Sequence, residues 1–282
     1  MKKLMNLLFA GAMISCAQTQ AQSSREHISK EITLPAAPSK TVVEVYNLLG
    51  SVKVEGYSGN KVLVEIDKNV SAKNKADIEL GNKEFELGID TNRDTIVIYT
   101  KAPYDTRPSR NKSDKNNPIP YSIKLDYVIK VPQDVQLRLS TINDGAITVS
   151  NVSGKMKVNN INGSIRVDNA KGYTDLHTIN GGIDVTYAGT PADGSSCHTI
   201  NGTINATYPE SLSADIKLKS MNGSFYTDFP NAQLAPQTVV NKNVSGSGTT
   251  YKLNKDTYLR IGKGESKMNF ETLNGSIYIK KR

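Results

Sequence analysis

A repeat running from near residue 140 to the end of the chain limits what this sequence can fold into. Its copies are Ile161-Asn162-Gly163-Ser164-Ile165, Ile179-Asn180-Gly181-Gly182-Ile183, Ile200-Asn201-Gly202-Thr203-Ile204, Met221-Asn222-Gly223-Ser224-Phe225 and Leu273-Asn274-Gly275-Ser276-Ile277, with Asp144-Gly145 opening the series. Gly145, Gly163, Gly181, Gly202 and Gly223 are 18, 18, 21 and 21 residues apart, a period at which one structural unit stacks on the next. An Asn-Gly pair supplies the positive backbone dihedrals of a tight turn, where glycine has no Cβ to clash. Each pair is thus expected to turn the chain between two strands.

Positions counted from each glycine separate into two faces. Position +2 holds Ile165, Ile183, Ile204, Phe225 and Ile277, and position +4 holds Val167, Val185, Ala206, Thr227 and Ile279. Position +3, between them, holds Arg166, Asp184, Asn205, Tyr226 and Tyr278, with no shared chemistry. Period-two alternation therefore points +2 and +4 inward and +3 to water. A meander or sandwich of hairpins needs no fixed register between successive turns. A solenoid does, because like positions fall about 4.8 Å above one another and its asparagines can form a hydrogen-bonded ladder. The fold expected is all-β: a single-stranded, β-helix-like solenoid preceded by an N-terminal β region.

The rest of the chain agrees with a β reading. Residues 41–66 alternate apolar and polar side chains, as do 85–89, 95–99 and the run from 121 that ends at Pro132. No convincing amphipathic helical spacing follows the first 21 residues. The organisation expected is a signal peptide over 1–21, a linker over 22–40, a β region over 41–139, and solenoid repeats over 140–282. An irregular excursion interrupts those repeats at about 229–268.

Lys2 and Lys3 followed by an apolar run over residues 4–14 read as an export signal. The run is shorter than the roughly 18 to 20 residues a membrane helix needs, and no later stretch approaches that length. Thr19-Gln20-Ala21 before Gln22 suits ordinary cleavage, whereas Ser15-Cys16 resembles a lipobox, with Met13 where leucine is usual; Cys16 is the lipid-anchoring alternative. Either way the chain is expected in the periplasm or at the cell surface. Cleavage after residue 21 leaves Cys197 as the one cysteine, so packing rather than an intramolecular disulfide holds the fold. The net charge of +8 falls to +6 without Lys2 and Lys3. Positive residues gather in a loop (Lys101, Arg107, Arg110, Lys112, Lys115) and at the end (Lys280, Lys281, Arg282) without interleaved aromatics. A solvated loop or an anionic-surface contact fits them, and an exported chain seldom meets nucleic acid.

Candidate chemistry is sparse. His177 and His198 occupy the same repeat position 21 residues apart, next to Cys197. Cys197 shares the position of Val158, Leu176, Leu218 and Phe270, so it should point inward while His198 points out, and one zinc ion cannot easily use both. Asp168, Asp175, Asp184 and Asp193 could supply the paired carboxylates of a polysaccharide-cleaving solenoid, yet they occupy different repeat positions. Tyrosine is the enriched aromatic, 13 against five phenylalanines and no tryptophan. Tyr226 and Tyr278 share the outward +3 position, which suits contact with sugar or protein.

Three segments carry a family resemblance: Val45-Tyr46-Asn47-Leu48-Leu49-Gly50-Ser51-Val52-Lys53-Val54-Glu55-Gly56-Tyr57, Tyr127-Val128-Ile129-Lys130-Val131-Pro132, and the Asn-Gly copies. Over most of the chain the pattern resembles the adhesin-like proteins of domain of unknown function 4097 (DUF4097), related to autotransporter-like adhesin heads. Asn47-Leu48-Leu49-Gly50 departs from the usual Asn-Gly. The resemblance implies a β-solenoid, an envelope location and no catalytic residues to carry over. The function expected is an exported binding or scaffold module of the cell envelope, not an enzyme, without cofactor or metal. Its partner would be an envelope glycan, an anionic surface or a protein. The alternative is a glycan-active β-helix enzyme, a hydrolase or lyase.

Overall fold

The computed structural model describes residues 22–110, 118–234, 241–245, 248–252 and 256–282. Strands β1 (Gln22–Thr33), β2 (Val42–Tyr46), β3 (Val52–Tyr57) and β4 (Lys61–Ala72) lead to helix α1 (Lys75–Glu84). β5 (Glu86–Asn92), β6 (Thr95–Ala102) and β7 (Tyr121–Pro132) follow. The repeats form β8 (Gln136–Thr141), β9 (Ile147–Ser150), β10 (Met156–Asn160), β11 (Ile165–Ala170), β12 (Thr174–Asn180), β13 (Ile183–Tyr187), β14 (Ser195–Asn201), β15 (Ile204–Tyr208), β16 (Ala214–Asn222) and β17 (Phe225–Thr227). The excursion and last copy give β18 (Gln233–Leu234), β19 (Asn241–Ser245), β20 (Gly248–Lys252), β21 (Thr257–Ile261), β22 (Ser266–Asn274) and β23 (Ile277–Lys281).

Each repeat lays one strand in an eleven-stranded sheet, turns through its Asn-Gly pair, and lays the next strand in a ten-stranded sheet. Successive coils pair parallel and in register: Leu176 lies between Val158 and Cys197, and Ile183 between Ile165 and Ile204. This is the solenoid expected from the repeat. The two sheets enclose one core, in which Ile165, Ile183, Ile204 and Ile277 are fully buried, as are Leu176, Cys197 and Phe270. Burying each aliphatic side chain contributes about 1.5–3 kcal/mol, and every coil repeats the contribution.

The N-terminal β region belongs to the same stack. β2 and β3 pair parallel with β8 and β9, and β6 and β7 stack parallel beyond them. Antiparallel strands finish that end: β5 on β6, β4 on β7, and β1 on β4. Two expectations are corrected here. Residues 22–33, read as linker, form the edge strand β1; only Ile28 and Ile32 pack against the core, too few to mark a strand by alternation. A helix, α1, also occurs where none was expected. It is capped by Asn74, whose side chain accepts from the Asp77 N–H at 2.9 Å, and it buries only Ile78 and Gly81, so its apolar face is one turn wide.

At the other end chain order and stacking order part. β22 inserts between β14 and β16, and β23 between β15 and β17. The last coil in sequence is thus the penultimate coil in space.

Candidate binding surface

The turn edge carries two parallel ladders. In the outer one, each asparagine Nδ2 donates to the side-chain oxygen of the next: Asn162 to Asn143 (2.7 Å), Asn180 to Asn162 (2.8 Å), Asn201 to Asn180 (2.8 Å), Asn274 to Asn201 (2.7 Å) and Asn222 to Asn274 (2.7 Å). The first rung is Asn143, not Asp144. The turn Asn143-Asp144-Gly145 is one residue longer, and Asp144 sits there at φ +55 with its carboxylate 3.0 Å from Lys124 Nζ.

The inner ladder escaped the sequence reading. Thr141, Thr178, Thr199, Thr272 and Ser220 donate their hydroxyls to the carbonyls of Gly50, Gly163, Gly181, Gly202 and Gly275 of the neighbouring coil, at 2.8 to 3.0 Å, and Asn160 Nδ2 does the same to Gly145. The recurring hydroxyl two residues before each asparagine except Asn162, where Asn160 stands, was its signal.

The glycines are needed for a different reason from the one expected. Gly163, Gly181 and Gly202 lie outside the positive-φ region; a Cβ on Gly202 would stand 2.0 Å from the Gly181 carbonyl oxygen, and one on Gly163 2.1 Å from that of Gly145. Backbone packed against backbone leaves no room for a side chain. Gly50, at φ +112, is a true left-handed position. It closes the Asn47 turn, whose Nδ2 bonds the carbonyls of Gly50 and Leu125.

On the outer face of the eleven-stranded sheet the rings of His177 and His198 stack with centroids 5.4 Å apart. His177 Nε2 lies 2.6 Å from Asp175 Oδ1, and the Ser196 hydroxyl donates to the same oxygen at 2.8 Å. Burial pushes the Asp175 carboxyl up, but the Ser196 hydroxyl, the His177 ring and Lys157 outweigh it and hold the group below its ordinary value. Cys197 lies on the opposite, buried face, where desolvation pushes its thiol well up and suppresses the thiolate. The register thus separates the thiol from the imidazoles. Among the described residues no three His, Cys, Asp or Glu side chains converge as a metal site.

The ten-stranded sheet presents the +3 row. Arg166, Asp184, Asn205, Tyr278 and Tyr226 follow one another across β11, β13, β15, β23 and β17. The rings of Tyr226 and Tyr278 stack with centroids 4.7 Å apart, Lys280 Nζ lies 5.1 Å from the Tyr278 ring centre, and Tyr226 is 51% exposed. Asn205 Nδ2 donates to Asp184 at 2.8 Å, and Arg166 pairs with Asp168 at 3.0 Å. Of the four candidate carboxylates, two share a face. Asp168 and Asp184 face out from this sheet, Asp175 from the other, and Asp193 accepts the Lys267 N–H in a turn. A buried aromatic pair, Tyr187 on Tyr208 at 4.8 Å, also went unread although both stand six residues after their glycine.

The basic loop is partly neutralised. Arg107 stacks over Tyr99 at 4.0 Å and pairs with Asp90 (2.7 Å) and Asp105 (2.6 Å), while Lys101 pairs with Glu86. Arg107 thus pins the loop to β5 and β6. Lys112, Lys115, Cys16 and the expected signal peptide lie outside the described residues. No helix among those described is long and apolar enough to cross a membrane.

Parallel in-register coils, paired ladders at the turn edge and an open polar sheet face define a repeat β-solenoid. The chain belongs to the Toastrack DUF4097 family, whose model matches residues 122–280. Solved structures match the chain at low identity and low TM-score. One, from Clostridium sporogenes, is described as a candidate cell adhesion protein: 12% identity, 93% of this chain and 100% of that one, TM-score 0.40. A candidate adhesin from Bacteroides fragilis shares 10% identity over 92% and 98% of the two chains, with a TM-score of 0.33. A candidate lipid-binding protein from Parabacteroides distasonis shares 13% over 91% and 96%, also with a TM-score of 0.33. A search of curated proteins finds no significant match.

Proposed function

We propose that this protein is a non-catalytic binding or scaffold module exported to the bacterial envelope. In this reading the outer face of its ten-stranded sheet meets an envelope glycan. The observation that carries it is the Tyr226–Tyr278 stack at the end of a row of hydrogen-bonding side chains, Asn205, Asp184 and Arg166, one strand apart. An aromatic face beside regularly spaced donors and acceptors suits a sugar chain, whose rings offer apolar faces and hydroxyl edges. The two carboxylates that share this face are each engaged by a neighbour, Asp168 by Arg166 and Asp184 by Asn205, an arrangement that supports a binding role over hydrolysis, which needs two across one bond.

The test is retention of envelope glycans by the mature chain, compared with a Tyr226→Ser/Tyr278→Ser double variant of unchanged melting temperature. Retention by the parent and at least a tenfold loss in the variant is expected. Equal retention by both, or turnover of a retained glycan, overturns the reading. Fractionation of cells carrying the full chain tests export: the protein should leave the cytoplasm, and Cys16→Ala should release it from membranes only if Cys16 is lipidated.

A further inference from the structure

β1 is one outer edge of the ten-stranded sheet, and β17, which carries Tyr226, is the other. β1 pairs with β4 without a break over 12 residues, and among the described residues nothing pairs with its other side. The remaining free edges of the two large sheets, β5, β17 and β18, are 7, 3 and 2 residues long. Proteins guard a free strand edge by keeping it short, by a bulge, by a proline or by charge. β1 has none of the first three, so its charges decide what can pair there.

Those charges are only half matched within the chain. Glu26 pairs with Lys68 and Glu31 with Lys61, while His27 bonds Asp67 and Glu65, all on β4. Arg25 and Lys30 make no ion pair among the described residues. Residues directly opposed in an antiparallel pair share a face and interact. When two copies of β1 run antiparallel about a two-fold axis at Ile28, Arg25 of one opposes Glu31 of the other, Glu26 opposes Lys30, and His27 opposes Ser29. Moving the axis to His27 sets Arg25 against Ser29 and Glu26 against Ile28; moving it to Ser29 sets them against Thr33 and Ile32. An axis at Glu26 or Lys30 brings like charges together. Only the axis at Ile28 sets both free cations against carboxylates. Ile28 itself packs against the core, and there it would meet its own copy, with the two Glu26–Lys30 pairs flanking it on the same face.

We propose that β1 is a self-recognition edge, through which two copies of this chain pair antiparallel about Ile28 and join two ten-stranded sheets into one. The contact is isologous, so each pair occurs twice, and the free main-chain groups of both edges bond one another. A strand with another order of charges meets unmatched charge, so the residues that admit a second copy turn other strands away. Tyr226 and Tyr278 lie toward the far edge of each sheet and stay clear of the contact.

Four residues apart on one strand, Glu26 and Lys30 are separated by about 13 Å, beyond the reach of a zero-length carbodiimide. A cross-link between them therefore joins two chains. The protein, purified from its cells with the N-terminus it carries there, should sediment as a dimer at equilibrium and yield that cross-link by peptide mass. Arg25→Glu should raise the dissociation constant about tenfold, because the axis turns one change into two repulsive contacts. Adding Glu31→Arg should restore the dimer, and both variants should melt like the parent. A monomer at every concentration, a dimer without the Glu26–Lys30 cross-link, or a dimer whose strength follows neither substitution overturns the proposal.

Discussion

Asn274 Nδ2 donates to Asn201 Oδ1 at 2.7 Å across 73 residues of sequence, and Asn222, only 21 residues after Asn201, sits one step further along the stack. The ladder is therefore continuous in space while the chain that supplies it doubles back. Stability in such a stack is a sum of nearest-neighbour terms, so each coil holds its two spatial neighbours, not its two neighbours in sequence.

The close approach at the turn edge predicts a sharp contrast between two glycines. Gly202→Ala places a Cβ 2.0 Å from a carbonyl oxygen that belongs to backbone and cannot swing aside. It should cost about 3 kcal/mol, the upper range for overpacking. Gly189→Ala meets nothing within 4 Å and should leave urea unfolding unchanged or slightly improved. Equal midpoints for the two variants would show that the coils are not packed backbone to backbone.

The inner ladder predicts a smaller, distinct loss. Thr199→Val keeps the shape of the side chain but removes the hydroxyl that bonds the Gly181 carbonyl at 2.8 Å. An unpaired buried acceptor costs on the order of 1–3 kcal/mol. Thr199→Ser should retain more of the parent's stability than Thr199→Val. The reverse order in chemical denaturation would assign this position to packing alone.

Register is tested by neighbours on opposite faces. Ile183 is fully buried and Asp184 exposed. Ile183→Asp places a carboxylate in the core at a cost of several kcal/mol, comparable to a domain's whole margin, while Asp184→Ile should change melting little. Near-parental melting of Ile183→Asp would mean the faces are assigned backwards, since a slip of one residue exchanges them.

Acid should loosen the outer face around Asp175. Its folded value is lowered, so the stability it contributes is complete above the ordinary aspartate range, near 4, and is lost as pH falls through the lower folded value. Asp175→Asn should be less stable than the parent at neutral pH and should show a shallower decline below pH 4. Parallel stability curves for the two proteins would remove Asp175 from the acid response.

The local pattern was enough to place the +2 and +4 rows inside as far as the coils that have neighbours on both sides, the +3 row outside, Cys197 in the core and the two histidines side by side; it failed on β17, the edge strand of its sheet, where Phe225 is only half-buried and Thr227 is exposed. Each of these follows from period-two alternation and from the repeat itself, which act over a few residues or one coil. The helix α1 was hidden because one buried turn leaves too little periodicity, and β1 because an edge strand needs few apolar residues. The stacking order lay beyond any pattern in the chain. Copies of one repeat are nearly interchangeable as neighbours, so Asn201 pairs equally well with Asn222 or Asn274. Only the folded molecule, in which β21 and β22 flank β16 on its two edges, selects between them. The glycines divide in the same way. The sequence determines where they recur, while the purpose of Gly163, Gly181 and Gly202, room for one backbone against another rather than a positive dihedral, exists only once the coils are stacked.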